Sequence, residues 1–124
     1  MIDHFGLQSD DIVAAVAWYD AALAPLGFEK LMDYGEAVGY GAPGGHPQFW
    51  LGVATDPGGR QSHVAFVAQD RDAVRAFHQV AVERGGEVLH EPRVWPEYHP
   101  HYYGAFVRDP DGNNVEAVCH VPAD

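Results

Sequence analysis

Two histidines of this chain occupy equivalent places in a repeated pattern. His4 and His63 lie 59 residues apart (63 − 4 = 59), and the segments that begin at them match without a gap over about two dozen residues. Because equivalent strands of a duplicated module are related by an approximate twofold axis, we expect both imidazoles to point into one cleft. Imidazole nitrogen is a common ligand of divalent metals, so this pair is the beginning of a candidate metal site.

A glutamate near the end of the sequence supplies a third candidate ligand. Glu116 lies between Val115 and Ala117 in an apolar strand, where a carboxylate without a partner is costly to desolvate. A divalent cation would be such a partner, and two imidazoles with one carboxylate leave metal positions open for substrate or oxygen. The sequence therefore predicts a metal site formed by His4, His63 and Glu116.

The repeat also predicts the elements that position these ligands. A single domain over residues 1–124 contains module 1, about residues 1–56, and module 2, about residues 60–121. Each module begins with a strand and a helix, the helix following an aspartate suited to N-capping and stopping near a glycine. The predicted strand and helix span about residues 2–7 and 11–23 in module 1, and about residues 62–68 and 72–83 in module 2.

Three strand candidates follow each helix. They span about residues 28–34, 37–41 and 48–53, and then about residues 87–90, 103–108 and 115–120. Asp109-Pro110-Asp111-Gly112 predicts a hairpin between the last two strands, and Asp56-Pro57-Gly58-Gly59 is the predicted linker between modules. The expected fold class is α+β, in which two tandem βαβββ modules form a curved mixed β-sheet cleft with helices on the outside.

Composition excludes several classes of function. The chain carries 7 Lys+Arg against 18 Asp+Glu, a formal net charge of −11, which argues against binding to nucleic acid or an anionic membrane. Cys119 is the single cysteine, so neither an internal disulfide nor a cysteine-based zinc cluster can form. No signal peptide or apolar run of bilayer length is evident. We expect a soluble protein of a reducing compartment, the cytoplasm.

Three segments resemble the vicinal oxygen chelate superfamily, which includes glyoxalase I, extradiol dioxygenases and bleomycin-resistance proteins. They are residues 2–7, residues 62–66 and residues 106–116, of which the last, with its hairpin and Glu116, is the most specific. The resemblance implies the two-module fold, a small-molecule substrate and a homodimer, whose cleft lies within one chain or across two. It also matches His4, His63 and Glu116 to the family's metal ligands.

The position of the fourth family ligand departs from the pattern. The strand alignment places Trp50 there, which cannot bind a cation. Either Gln48, two residues earlier, is the fourth ligand, or the site has only three protein ligands and resembles that of the extradiol dioxygenases. The resemblance implies a divalent metal (Fe, Mn, Ni, Co or Zn) and an enzyme that is a glyoxalase I-like lyase or an extradiol-type dioxygenase, in which Glu116 could also move a proton. The alternative is a non-catalytic binding protein of the bleomycin-resistance type.

Aromatic residues and histidines supply candidates for the rest of the cleft. The stretch 95–103 could roof the cleft, with His101 and Tyr103 as the candidate catalytic acid/base groups and His99 and Tyr102 as substrate-binding residues. Its alternative role is a packed surface loop or a dimer contact. Trp50 and Phe49 are candidate walls of an apolar substrate pocket, and ordinary core packing is their alternative.

Overall fold

The structure is a computed structural model that describes residues 2–55 and 62–123. The predicted linker, residues 56–59, lies outside the described residues. The order of elements is βαβββ twice, as predicted. The first half contains β1 (Phe5–Ser9), α1 (Ile12–Leu23), a 3-10 turn (Ala24–Leu26), β2 (Glu29–Asp33), β3 (Ala37–Gly41) and β4 (Phe49–Val53). The second half contains β5 (His63–Val67), α2 (Arg71–Glu83), β6 (Val88–Val94), β7 (Tyr103–Arg108) and β8 (Asn114–Cys119).

Each half of the chain forms its own four-stranded mixed sheet. The strand orders are β1-β4-β3-β2 and β5-β8-β7-β6, so the two sheets have the same topology. The first strand of each half pairs in parallel with the last, and the remaining neighbours are antiparallel. The α+β class and the duplicated architecture are confirmed.

Capping residues fix the ends of both helices as the sequence predicts. The Asp11 side chain accepts a 3.1 Å hydrogen bond from the Ala14 amide, and the Asp70 side chain accepts one of 2.8 Å from the Ala73 amide. Gly27 follows the 3-10 turn with φ 84°, a left-handed conformation that disfavours residues with a Cβ atom. The helices therefore begin at Ile12 and Arg71, within one residue of the predicted positions.

Two predicted strands have different bounds in the structure. β1 begins at Phe5, so His4 precedes the strand instead of lying within it. β6 continues to Val94, beyond the predicted end at residue 90, because irregular pairing with β7 accommodates Pro92. Gly112, with φ 87°, closes the predicted hairpin between β7 and β8.

One apolar core joins the two halves. Helix α1 packs on β4 and β2, helix α2 packs on β7, β6 and β8, and the helices contact each other. At their contact the ring of Trp18 meets the edge of Phe77, with centroids 6.5 Å apart. Each sheet thus has one helix-covered face, and its other face, called the open face below, carries no helix. Neither helix of the described chain meets the requirements for a bilayer span.

Candidate metal and substrate site

His63 and Glu116 come together on the open face of the second sheet. Strand alternation directs Val64 and Phe66 into the apolar core and leaves His63 and Ala65 on the open face. Ala65 is the register partner of Glu116 on the central strand β8, so that carboxylate shares the face. His63 Nε2 lies 3.1 Å from Glu116 Oε1. The structure therefore brings together two of the three predicted metal ligands.

Glu116 is a buried carboxylate with a partner on each oxygen. Its side chain is 2% exposed, whereas that of His63 is 49% exposed. The Tyr102 hydroxyl donates a hydrogen bond to Oε2, the oxygen not in contact with His63. Loss of solvent on burial, together with this hydrogen bond, raises the pKa of Tyr102 well above that of free tyrosine. The phenol therefore keeps its proton at neutral pH and donates it in the hydrogen bond to Glu116.

A glycine provides the space in which Tyr102 and Glu116 meet. A Cβ atom on Gly104 would lie 3.3 Å from Glu116 Oε2 and 3.3 Å from Tyr102 Cε1. Both distances are shorter than ordinary van der Waals contact, so any larger residue would press on both partners. The absence of a side chain at this position of β7 gives the pair its close approach.

The loop between β6 and β7 lies over this part of the sheet and is anchored by three side-chain hydrogen bonds. Trp95 Nε1 donates a 3.1 Å hydrogen bond to the Gly104 carbonyl. His99 Nδ1 accepts from the His101 amide at 3.1 Å, which places the His99 proton on Nε2. That nitrogen lies 2.8 Å from His120 Nδ1 and donates to it. The loop that carries Tyr102 is thus fixed at both ends of the site.

An aromatic wall flanks His63. The His63 imidazole stacks on Phe106 with centroids 5.9 Å apart and planes 20° apart. Trp95 and His90 meet the same Phe106 ring edge-on at 5.1 and 5.5 Å. Trp95 and Phe106 are buried, so this packing fixes the orientation of the imidazole. Phe106 and His120 did not follow from the sequence reasoning, although alternation continued from Glu116 places His120, directly after β8, on the Glu116 side.

His4 and Trp50 lie on the open face of the first sheet. They line one groove together with Gly6 and Gln8. His4 Nδ1 forms a 2.7 Å hydrogen bond with Asp3, which leaves His4 Nε2 available to a ligand. The same hydrogen bond is the main cause of the lowered pKa of Asp3. Trp50 stacks on Tyr34 with planes 4° apart.

The candidate fourth ligand lies elsewhere on this half. Gln48 is exposed and lines a different, mainly apolar pocket with Phe5 and Phe66. In residues 2–55 and 62–123, no three His, Cys, Asp or Glu side chains form a potential metal-binding group. A single chain therefore does not add His4 to the pair of His63 and Glu116.

The spacing of that pair is nevertheless suited to a shared cation. Nitrogen and oxygen ligands held about 2.1 Å from one ion, at octahedral or tetrahedral angles, lie about 3.0–3.4 Å apart. The observed separation of 3.1 Å between His63 Nε2 and Glu116 Oε1 falls in this range. The two groups on the second sheet thus fit one side of a metal site.

Two predicted site residues, Tyr103 and Phe49, lie on the helix-covered faces of their strands. Tyr103 follows Tyr102 directly, so its ring points towards α2, where Arg75 donates a hydrogen bond to its hydroxyl at 3.1 Å. Phe49 is buried in the core against Tyr19, on the face of β4 opposite Trp50. These residues pack the fold. His101 is exposed in the loop between β6 and β7, residues 95–102, called the aromatic loop.

Comparisons with known proteins agree with this architecture. The family model of the glyoxalase/bleomycin resistance protein/dioxygenase superfamily matches residues 1–117. A glyoxalase/bleomycin resistance protein from Albidiferax ferrireducens T118 is 26% identical with a TM-score of 0.80, covering 94% of this chain and 96% of its own. A lactoylglutathione lyase from Agrobacterium tumefaciens is 26% identical with a TM-score of 0.68, covering 96% and 92%. A search of curated proteins found no match. The chain belongs to the glyoxalase/bleomycin resistance protein/dioxygenase superfamily.

Proposed function

We propose that this protein is a divalent-metal-dependent enzyme that acts on a small substrate with two neighbouring oxygen atoms. The observation that carries the proposal is the convergence of His63 Nε2 and the buried Glu116 Oε1 at 3.1 Å on an open sheet face. In this proposal His63 and Glu116 are two protein ligands and His4 is the third. Fe(II), Mn, Ni, Co and Zn all accept such a mixed imidazole and carboxylate set.

The surrounding residues have distinct roles in the proposed reaction. A bound cation would supply Lewis acidity and a template for the two substrate oxygens. Phe106 and Trp95, both buried, would hold the His63 imidazole in place and keep water from the side of the imidazole that they cover. When displaced from the cation, Glu116 can accept a substrate proton on Oε1, and the exposed His101 imidazole can exchange a proton with solvent.

We propose that His4 reaches this site from a second copy of the chain. His4 and His63 lie on the open faces of different sheets, with side chains 59% and 49% exposed. Val67, two residues beyond Ala65 on the His63 face, is 61% exposed, an apolar surface suited to burial in a dimer. A twofold homodimer that places one chain's first sheet against the other's second sheet would form two identical clefts.

Metal analysis of untagged protein purified without chelator tests the ligand assignment. We expect one transition metal per chain in the wild type, a loss of at least about tenfold in affinity in His63→Ala, and no loss in His101→Ala. The His101 variant is the matched control because its imidazole is exposed and lies outside the ligand pair. Metal-free wild-type protein would overturn the enzyme proposal.

Mixing variants tests whether the site spans two chains. His4→Ala and His63→Ala should each lose metal alone. After unfolding and refolding together in equal amounts, half of the dimers are mixed and each mixed dimer has one intact site, so about a quarter of the wild-type metal should return. No recovery, with dimers formed, would show that both ligands must come from one chain.

Substrate screening then separates the reaction types. Oxygen consumption with a catechol would select the dioxygenase branch, and thioester formation from a methylglyoxal thiohemiacetal would select the glyoxalase branch.

The alternative function is a non-catalytic small-molecule binding protein, which the net charge of −11 would suit for a cationic ligand. Tight binding of such a ligand by a metal-free dimer would favour it. In either case the buried free thiol of Cys119 suits a reducing cytoplasm.

A further inference from the structure

We infer that Tyr102 is a positioning residue that fixes the rotation of the Glu116 carboxylate, so that a single oxygen, Oε1, faces the ligand. The inference rests on the proposed function, since it assigns a role to a contact within that site. The carboxylate's two oxygens are chemically equivalent until their surroundings distinguish them. Here His63 contacts Oε1, and the Tyr102 hydroxyl donates its hydrogen bond to Oε2.

The hydrogen bond from Tyr102 opposes exchange of the two Glu116 oxygens. A Cβ atom on Gly104 would lie 3.3 Å from both Oε2 and the Tyr102 ring, and the side chain of Glu116 is 2% exposed. Rotation of the carboxylate would therefore break the Tyr102 hydrogen bond in a place that water reaches poorly, which is costly. Binding of a cation through Oε1 alone keeps that hydrogen bond, whereas bidentate binding would sacrifice it.

Tyr102 is itself held before any ligand arrives. Its ring packs edge-on against Tyr98 at 4.9 Å and against His120 at 5.2 Å. His120 is the residue to which His99 donates, so the anchor of the aromatic loop is also the support of the Tyr102 ring. Because the Tyr102 hydroxyl is already fixed in this way, it orders the Glu116 carboxylate before a cation binds, and little conformational entropy is lost on binding.

Cobalt(II) titration of the purified dimer provides the test, because the visible absorption of this ion reports the number of its ligands. We expect Tyr102→Phe to weaken cobalt binding by about 10- to 100-fold and to lower the visible absorption as Glu116 becomes bidentate. Tyr98→Phe is the matched control, since it removes a hydroxyl from the same loop but not from Glu116. It should leave the affinity and the spectrum unchanged.

A second readout uses the metal-free protein. The imidazole NMR signals of His63 should shift in Tyr102→Phe, because Oε1 is no longer fixed beside Nε2, and should remain in place in Tyr98→Phe. Should Tyr102→Phe fail to fold, Gly104→Ala disturbs the same contact from the opposite side and is expected to give the same changes. Wild-type cobalt affinity, cobalt spectrum and His63 signals in the folded variant would overturn the inference.

The two readouts separate this inference from the proposed function. Failure of the wild-type protein to take up cobalt or any other divalent transition metal would overturn the proposed function. The His63 signals of the metal-free protein would then decide alone whether Tyr102 orients Glu116. If the wild type takes up cobalt and Tyr102→Phe has the same cobalt affinity, cobalt spectrum and His63 signals as the wild type, only the role of Tyr102 is overturned.

Discussion

The Tyr19 hydroxyl in α1 donates a 2.7 Å hydrogen bond to Asp109 Oδ2 in the β7–β8 hairpin. This contact ties the first half of the chain to the second. Asp109 also accepts hydrogen bonds at 2.9 Å from the amides of Asp111 and Asn113 and from the Asn113 side chain. The aspartate that predicts a turn in the sequence is thus also a buried contact between the modules.

Removal of the Tyr19 hydroxyl should destabilise the whole protein without changing its fold. Tyr19→Phe leaves one Asp109 oxygen with fewer donors in a buried place, at a cost of about 1–3 kcal/mol of unfolding free energy. Urea unfolding followed by circular dichroism measures it. Tyr34→Phe is the control, because Tyr34 is 70% exposed and should change stability little. Equal stability of the two variants would show that the contact does not stabilise the fold.

The two helix caps should contribute independently. Asp11→Ala and Asp70→Ala each remove a side-chain acceptor from a helix N-terminus, and each should cost about 0.5–2 kcal/mol of unfolding free energy. Because the two caps share no partner, the double variant should show the sum of the single effects. Urea unfolding of the three variants checks this. A double variant no less stable than either single one would contradict it.

The repeat was informative about local structure because both copies obey the same physical rules. A strand, an aspartate cap and a glycine stop recur 59 residues apart, and each can be recognised without knowing what the segment packs against. The pairing of β5 with β8, which places His63 near Glu116, follows from the same order of elements. Of the three ligands that the sequence predicts, His63 and Glu116 are the two that the structure brings together.

The relative position of the two sheets could not be derived in this way. Alternation gives the face on which His4 or His63 lies, but the meeting of two faces depends on how whole modules pack. Tyr102 and Tyr103 illustrate a second limit. They are adjacent in the sequence, yet Tyr102 contacts Glu116 on the open face, whereas Tyr103 contacts α2 on the opposite face. His120 was missed because its role comes from His99, which belongs to a loop without periodicity.

A charge on the open face should prevent dimer formation. Val67→Asp would place a carboxylate on the apolar surface beyond His63, where burial without a partner is costly. We expect a dimer in the wild type and a shift to monomer, with loss of metal, in the variant, measured by sedimentation velocity and metal analysis. Val13→Asp is the control, because Val13 is 78% exposed near the start of α1, where a negative charge is favourable. A dimeric, metal-loaded Val67→Asp protein would contradict the proposed interface.

Alkaline pH should destabilise the protein through three tyrosines. Tyr19, Tyr40 and Tyr102 have raised pKa values, in each case first because burial disfavours the phenolate and then because a carboxylate lies beside the hydroxyl. In the unfolded chain these phenols titrate at about pH 10. The folded state therefore retains protons that the unfolded state loses. The stability that these three phenols contribute is fully present below about pH 10 and is lost progressively above it.

Tyrosinate absorbance, measured before and after urea unfolding at about pH 11, tests this difference. Unfolding should release protons from all three phenols, and the free energy of unfolding should be lower than at about pH 9. Tyr40→Phe removes one of them, whose hydroxyl donates to Asp20 at 2.9 Å, so the absorbance change should fall by one tyrosinate and the stability should depend less on pH. An absorbance change as large as that of the wild type would show that Tyr40 ionises in the folded protein, contrary to its buried hydrogen bond.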